Sequence, residues 1–213
     1  MPPCRSGMQV GLGEALAWGQ SAGLSKGALV AEPRNRYSTV SLILHWLIAV
    51  LILVQVLLIT ANEATEGQAI SREFVEVHKA LGLTVLILTL ARIGWRVANP
   101  AIPLPDTMKR WEKILARTTH VLFYVLLLAM PLTGWAAVSA TGRELSWFGL
   151  FNWPLLPISG GRDAFKSIIG IHELVMKGMY ALVALHVVGA LKHQFVDRDN
   201  VLHRMIPWIP RRP

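Results

Sequence analysis

Polar and apolar positions along this chain sort into long blocks rather than short alternations. The first apolar block runs from Ser41 to Ala61, with only His45 and Gln55 strongly polar inside it. The second runs from Val75 to Val97, with His78 and Lys79 near its start and Arg92 and Arg96 near its end. The third runs from Leu115 to Val138 and contains His120; the fourth runs from Ile168 to Leu191 and contains His172, Glu173, Lys177 and His186. A hydrocarbon core roughly 30 Å thick takes about 20 residues of helix to cross, and all four blocks reach that length. The pattern predicts an all-α fold, an integral membrane bundle of four helices. Ionisable residues at membrane depth are costly unless they face a partner or a cavity. The second and fourth blocks therefore point to a bundle with a functional interior rather than to simple lipid-facing anchors.

Residues 1–36 read differently. They are rich in Gly, Ala and Ser and have no long apolar run followed by a small-residue cleavage site, so they make a poor signal peptide. They are expected to be a flexible leader, with a short interfacial helix over Leu12–Leu24 as its one candidate element, and residues 37–213 are expected to be the transmembrane domain.

Composition supports the membrane class. Hydrophobic residues make up 53% of the 213 residues and charged ones 16%, against roughly 25% charged in an average soluble domain. A small soluble core has too little volume to bury four such runs. The formal net charge of +8 admits nucleic acid, anionic lipid or topology as explanations, and its distribution decides. Of 21 basic residues, fifteen fall in the leader, in the stretch from Arg92 to Arg117 and in the tail from Lys192 onward. Six fall on the opposite side, where the first connection carries Glu63, Glu66, Glu73 and Glu76. The positive-inside rule places both termini in the cytoplasm. With the charge explained by topology and no nucleic-acid motif present, membrane lipid is the expected partner and nucleic acid is not.

The single cysteine, Cys4, excludes an intrachain disulfide and a thiolate-held zinc or iron–sulfur centre. Metal chemistry must use histidine. Threading the spans alternately places His45, His120 and His186 toward the inner side and His78 and His172 toward the outer side. His172 and His186 are 14 residues apart, about 21 Å along a helix and only about 40° apart around it. One helix thus offers two imidazoles to the same interior, one in each leaflet. His78 can meet His172, and His45 can meet His186. Each pair can be bis-axial to one haem iron with no open position, which suits electron transfer rather than oxygen binding. Zinc or copper fits less well, because no leaflet gathers three or four ligands on neighbouring turns. His120 has no obvious partner; it reads as an alternative ligand, a propionate partner, a quinone contact or an interface hydrogen bond.

Room for a porphyrin comes from small residues at Gly82, Gly134, Gly178 and Gly189, which also serve ordinary helix packing in membranes. Arg92, 14 residues after His78, reaches the depth of His45 and His186 as a candidate propionate partner. The tryptophans at 46, 95, 111, 147, 153 and 208 read as an interfacial aromatic belt.

Together these residues carry a resemblance. Arg36-Tyr-Ser-Thr-Val-Ser-Leu-Ile-Leu-His45-Trp46, His78-Lys-Ala-Leu-Gly82 with Arg92, His120-Val-Leu-Phe-Tyr124 with Pro131-Leu-Thr-Gly134, and His172-Glu173 with His186 are similar to the bacterial cytochrome b561 family. Its four-helix fold is shared with the cytochrome b subunits of nickel–iron hydrogenase and formate dehydrogenase. The resemblance covers Arg36 to the C-terminus; the leader inherits nothing from it. It implies two haem b groups on the histidines paired above, and electron exchange with ubiquinone or another quinone. One member is similar to a superoxide oxidase, which makes superoxide a candidate outer donor, drawn by Lys79, Arg162, Lys166 and Lys177 and countered by Glu63, Glu66, Glu73 and Glu76. The alternative is an anchor subunit relaying electrons for a separate dehydrogenase or hydrogenase, with Pro100–Trp111 as the docking surface for that redox partner protein.

Overall fold

The computed structural model describes residues 36–100, 102–104, 108–199, 201–206 and 208–209, all within one unit that runs from Arg34 to Pro213. The leader and its candidate Leu12–Leu24 helix lie outside the described residues. Four helices follow in order: α1 Thr39–Ala64, α2 Ala69–Ala98, α3 Arg110–Ala140 and α4 Gly161–Lys192. All four are long and apolar enough to cross a membrane. Each outruns the apolar block that predicted it. Helix α2 starts six residues before Val75 and α4 seven before Ile168, because the polar turns Ser71–Glu76 and Arg162–Lys166 remain helical past the hydrocarbon boundary. At 1.5 Å per residue, the 30 residues of α2 span about 45 Å, well over the membrane core.

Helix α1 opens on a local cap: the Ser38 hydroxyl accepts the Ser41 N–H at 3.3 Å, satisfying one of the free donors of the first turn. Helix α3 opens with the Glu112 carboxylate accepting the Lys109 N–H at 2.9 Å. The same glutamate meets Lys192 at 2.7 Å, joining the start of α3 to the end of α4. We call this end of the bundle, where α1 enters and α4 leaves, the near end, and the opposite end the far end.

The helices pack α1 on α2, α2 on α3 and α3 on α4. Their shared core is thin and central. Ile48, Val85, Leu127 and Met179, one from each helix, form a buried cluster flanked by Leu51, Leu88, Phe123 and Val183. Elsewhere the helices show Leu, Val and Ile outward, as a lipid-facing surface should.

Two features were absent from the apolar pattern. The α3–α4 connection carries a small antiparallel hairpin, β1 Leu145–Trp147 and β2 Phe151–Trp153, with Leu145 opposite Trp153 and Trp147 opposite Phe151. Strands of three residues are too short to register as alternation. After α4 the chain makes a π-helical turn over His193–Asp197 and a 3₁₀ turn over Leu202–Arg204. The first is closed by His193, whose Nδ1 stands 2.8 Å from Asp199. It also stands 3.1 Å from Asp197. These three side chains have the spacing of a cation site, but Asp197 is engaged by the Lys192 ammonium at 2.6 Å and Asp199 by the Val201 N–H.

Candidate functional site

Five histidines project from the four helices at two levels. At the far end, the rings of His78 on α2 and His172 on α4 have centroids 6.4 Å apart, inclined at 78°. At the near end, the rings of His45 on α1 and His186 on α4 are also 6.4 Å apart, inclined at 62°. All four are half-buried. Met179, seven residues from each of the α4 histidines, sits between the levels in the buried cluster. The 14-residue spacing therefore produces two stacked pairs with an apolar plug between them.

The spacing suits a metal held axially between two rings. A metal–imidazole bond is about 2 Å long and a ring nitrogen lies about 1 Å from its centroid, so two rings on opposite sides of one metal stand about 6 Å apart. A direct hydrogen bond between two imidazoles needs nitrogens about 3 Å apart, and none joins either pair among the described residues. The buried Nδ1 of His78 has no hydrogen-bond partner among the described residues, an exception of the kind that calls for a missing partner.

The far-end pair is held by its neighbours. Thr133 on α3 donates its hydroxyl to backbone carbonyls of its own helix, Ala129 at 2.7 Å and Met130 at 2.9 Å. Its oxygen stands 3.0 Å from His172 Nδ1. A hydroxyl has one proton, and here the carbonyls take it, so the His172 Nδ1–H donates to Thr133. The Nε2 lone pair of His172 is left free, the form a metal ligand needs. Gly134 lies alongside: a Cβ there would stand 3.3 Å from His172 Cε1. This glycine makes room for the His172 imidazole ring. The sequence reading placed it beside the porphyrin. Gly82 admits the Gln55 carboxamide, which donates to the His78 carbonyl at 3.1 Å.

At the near end, Arg92 reaches across from α2. It donates to the Ser41 carbonyl at 3.0 Å and stands 3.4 Å from His45 Nδ1. His120, which spacing left without a partner, lies with its ring 5.7 Å from that of His186. It donates Nδ1–H to the Ala116 carbonyl at 2.6 Å, so its Nε2 also carries a free lone pair. Tyr37, Ser41, Arg92, Trp95, His120 and Tyr124 surround a cavity at this end, which Met205 of the tail helps to close. Two side chains that sequence reasoning gave no role matter here. Thr133 fixes a tautomer, and Phe123, 5.2 Å from His186, supports its ring. Thr133 left only a faint signal, a hydroxyl beside a glycine at the level of His172.

The tryptophans divide. Trp95 donates to Ser38 and Ser41 at 3.1 Å each, Trp46 to the Met205 carbonyl at 3.0 Å and Trp147 to Thr84 at 3.2 Å. Trp111 and Trp208 are exposed.

Comparison with known proteins agrees with this architecture. Residues 36–208 match the family described as prokaryotic cytochrome b561. The chain is 29% identical to cytochrome b561 homolog 2 of Escherichia coli (strain K12), over 81% of this chain and 92% of that one. It is 26% identical to a probable superoxide oxidase CybB of Yersinia pestis, over 81% and 97%. It is 29% identical to a cytochrome b562 of Cereibacter sphaeroides, over 80% and 94%. The match to the family spans the four helices and every histidine of the two levels. The chain belongs to the prokaryotic cytochrome b561 family and is a bacterial membrane b-type cytochrome of electron transfer.

Proposed function

We propose that the chain is a dihaem carrier that moves electrons between a donor at the far end and the membrane quinone pool. His78 with His172 would hold one haem b, and His45 with His186 the other. The observation that supports this reading is the equal 6.4 Å spacing of two cross-helix histidine pairs along α4. Haem bound by these histidines would supply one-electron chemistry. The protein's own contribution is orientation. Thr133 holds His172 in one tautomer. At the near end, a His45 holding the group through Nε2 would carry its proton on Nδ1, and the Arg92 guanidinium beside it would be available to an anionic propionate.

The donor we favour is superoxide. Its support is the relative described as a probable superoxide oxidase and the cations of the far end. Arg162 and Lys166 lie in the first turns of α4, while Lys79 already pairs with Glu76 at 2.6 Å. In balance, two superoxide anions lose one electron each, and a quinone takes both with two protons. The near-end cavity offers Tyr37, Arg92, His120 and Tyr124 as hydrogen-bonding groups for a quinone carbonyl or a propionate. Both termini would face the cytoplasm, as the skewed basic residues suggest.

The deciding experiment is haem stoichiometry and reduced-minus-oxidised spectra on the purified chain, with a superoxide–quinone assay alongside. We expect two haems per chain, falling to one in His172→Ala and in His186→Ala. One haem in the parent chain, or unchanged spectra in either variant, overturns the pairing. Two haems without superoxide-driven quinone reduction would leave the pairing and remove superoxide as the donor.

A further inference from the structure

We propose that the α3–α4 hairpin is a membrane anchor, with its tip, Phe148, Leu150 and Phe151, inserted among the lipids at the far-end interface. The argument begins with depth. Trp147 on β1 donates to Thr84 at 3.2 Å, and Thr84 lies five residues, about 7.5 Å of rise, beyond the charged Lys79 of α2. Trp135, five residues or about 7.5 Å before the end of α3, donates to the Pro154 carbonyl at 2.9 Å. Ser139 on the last turn of α3 accepts the Leu156 N–H at 3.0 Å. Three bonds on two helices thus hold the connection down along the bundle, just inside the boundary that Lys79 and its Glu76 partner mark.

The hairpin is also two-faced. Its register puts Leu145, Trp147, Phe151 and Trp153 on one face and Ser146 and Asn152 on the other. The root of the apolar face is covered by the protein, with Leu145 only 2% exposed. Its tip is not: Phe148 is 47%, Phe151 49% and Leu150 72% exposed. From Leu145 to Trp153 there is no charged residue. The apolar face therefore begins against the helices and continues outward at the level of their lipid-facing surface. Bilayer lipid is the occupant that this continuity selects. Interfacial elements bury their apolar face about 5–10 Å into the boundary between headgroups and acyl chains, and Trp–Phe clusters favour that zone.

Irregular backbone tolerates such a place only if its polar groups are satisfied. At the tip two N–H groups are. The Leu150 N–H bonds the Trp147 carbonyl at 3.0 Å, and the Gly149 N–H bonds the Ser146 hydroxyl at 3.1 Å. The turn also holds Phe148 in the left-handed region at φ 52°, which a bulky residue seldom adopts. There its ring meets only the edge of Trp147, at 5.5 Å among the described residues, and stays 47% exposed; in lipid the rest of the ring is buried.

The test uses the full-length chain in phosphatidylcholine vesicles, with Cys4→Ser and an environment-sensitive fluorophore on Leu150→Cys. A label on Asn152→Cys, on the polar face, is the reference. We expect bluer emission at position 150, several-fold weaker quenching by aqueous iodide than at position 152, and strong quenching by lipids bearing a nitroxide high on the acyl chain. Equal iodide quenching at the two positions overturns the proposal. So does shielding from iodide without nitroxide quenching, which would mean a protein cover, including a second copy if the shielding grows with protein density. Phe148→Cys gives an independent reading should the Leu150 variant fail to fold.

Discussion

At the scale of the residue, the far-end site turns on one hydroxyl and one missing methyl. Thr133 spends its proton on its own helix and so can only accept from His172. Valine in its place keeps the shape and removes the acceptor. Partners of metal-ligating histidines contribute about 10–100-fold in metal affinity. Thr133→Val is therefore expected to weaken retention of the haem we propose on the His78/His172 pair by that order and to shift its midpoint potential, with the haem proposed at the near end unchanged. A redox titration resolving two components reads this. Equal shifts in both components, or none, would show that Thr133 only packs. The histidines were legible in the sequence because a polar ring in an apolar span demands a partner. Thr133 was not, since a threonine in a membrane helix commonly bonds its own backbone and nothing in spacing shows which neighbour its lone pair meets. Gly134 was legible as a space but not as whose: only the approach of α3 to α4 shows that the His172 ring fills it. The neighbour of His120 was hidden for a similar reason. Depth was readable, but the rotation of α3 that brings it beside His186 was not.

At the scale of the element, α4 is the organising helix, and its 14-residue repeat was readable because helical period and rise are fixed by backbone geometry. The plug was harder to see. Ile48, Val85, Leu127 and Met179 are ordinary apolar residues among many, and which of them face inward depends on packing rather than on composition. Met179 is 4% exposed and stands between the two levels. Truncating such a buried side chain costs about 2–5 kcal/mol. Met179→Ala is expected to lower the temperature at which both haem bands are lost together, while leaving both spectra intact below it. Selective loss of one band would mean that the plug serves one level and does not join them. The hairpin marks the limit of pattern reading at this scale, because its strands are shorter than the window in which alternation can be counted.

At the scale of the whole molecule, the two ends are closed differently. At the far end the hairpin lies against α2; the near end is closed by the chain's own tail. Arg36 donates to His203 Nε2 at 2.9 Å, and the other nitrogen of that buried ring meets the Ile209 carbonyl. Trp46 donates to Met205, and Arg204 donates to the Pro103 carbonyl at 2.7 Å. The tail thus reaches both the entry of α1 and the proline-containing connection after α2, the stretch expected from sequence to receive a redox partner. Met205 also forms part of the cavity wall beside Arg92 and His120. The sequence showed a basic tail and assigned it to topology; it could not show that the tail folds back, because the contacts join residues more than 100 positions apart. Ending the chain at Asp199 removes all of them at once. If the tail closes the near-end site, this truncation should shift the potential of the haem proposed on His45 and His186 and speed its reduction by small water-soluble reductants, while the haem proposed at the far end keeps its potential. Stopped-flow reduction combined with redox titration separates the two. Unchanged near-end kinetics would mean that the tail fastens the helices without covering the site, and equal changes at both haems would mean that it holds the whole bundle together.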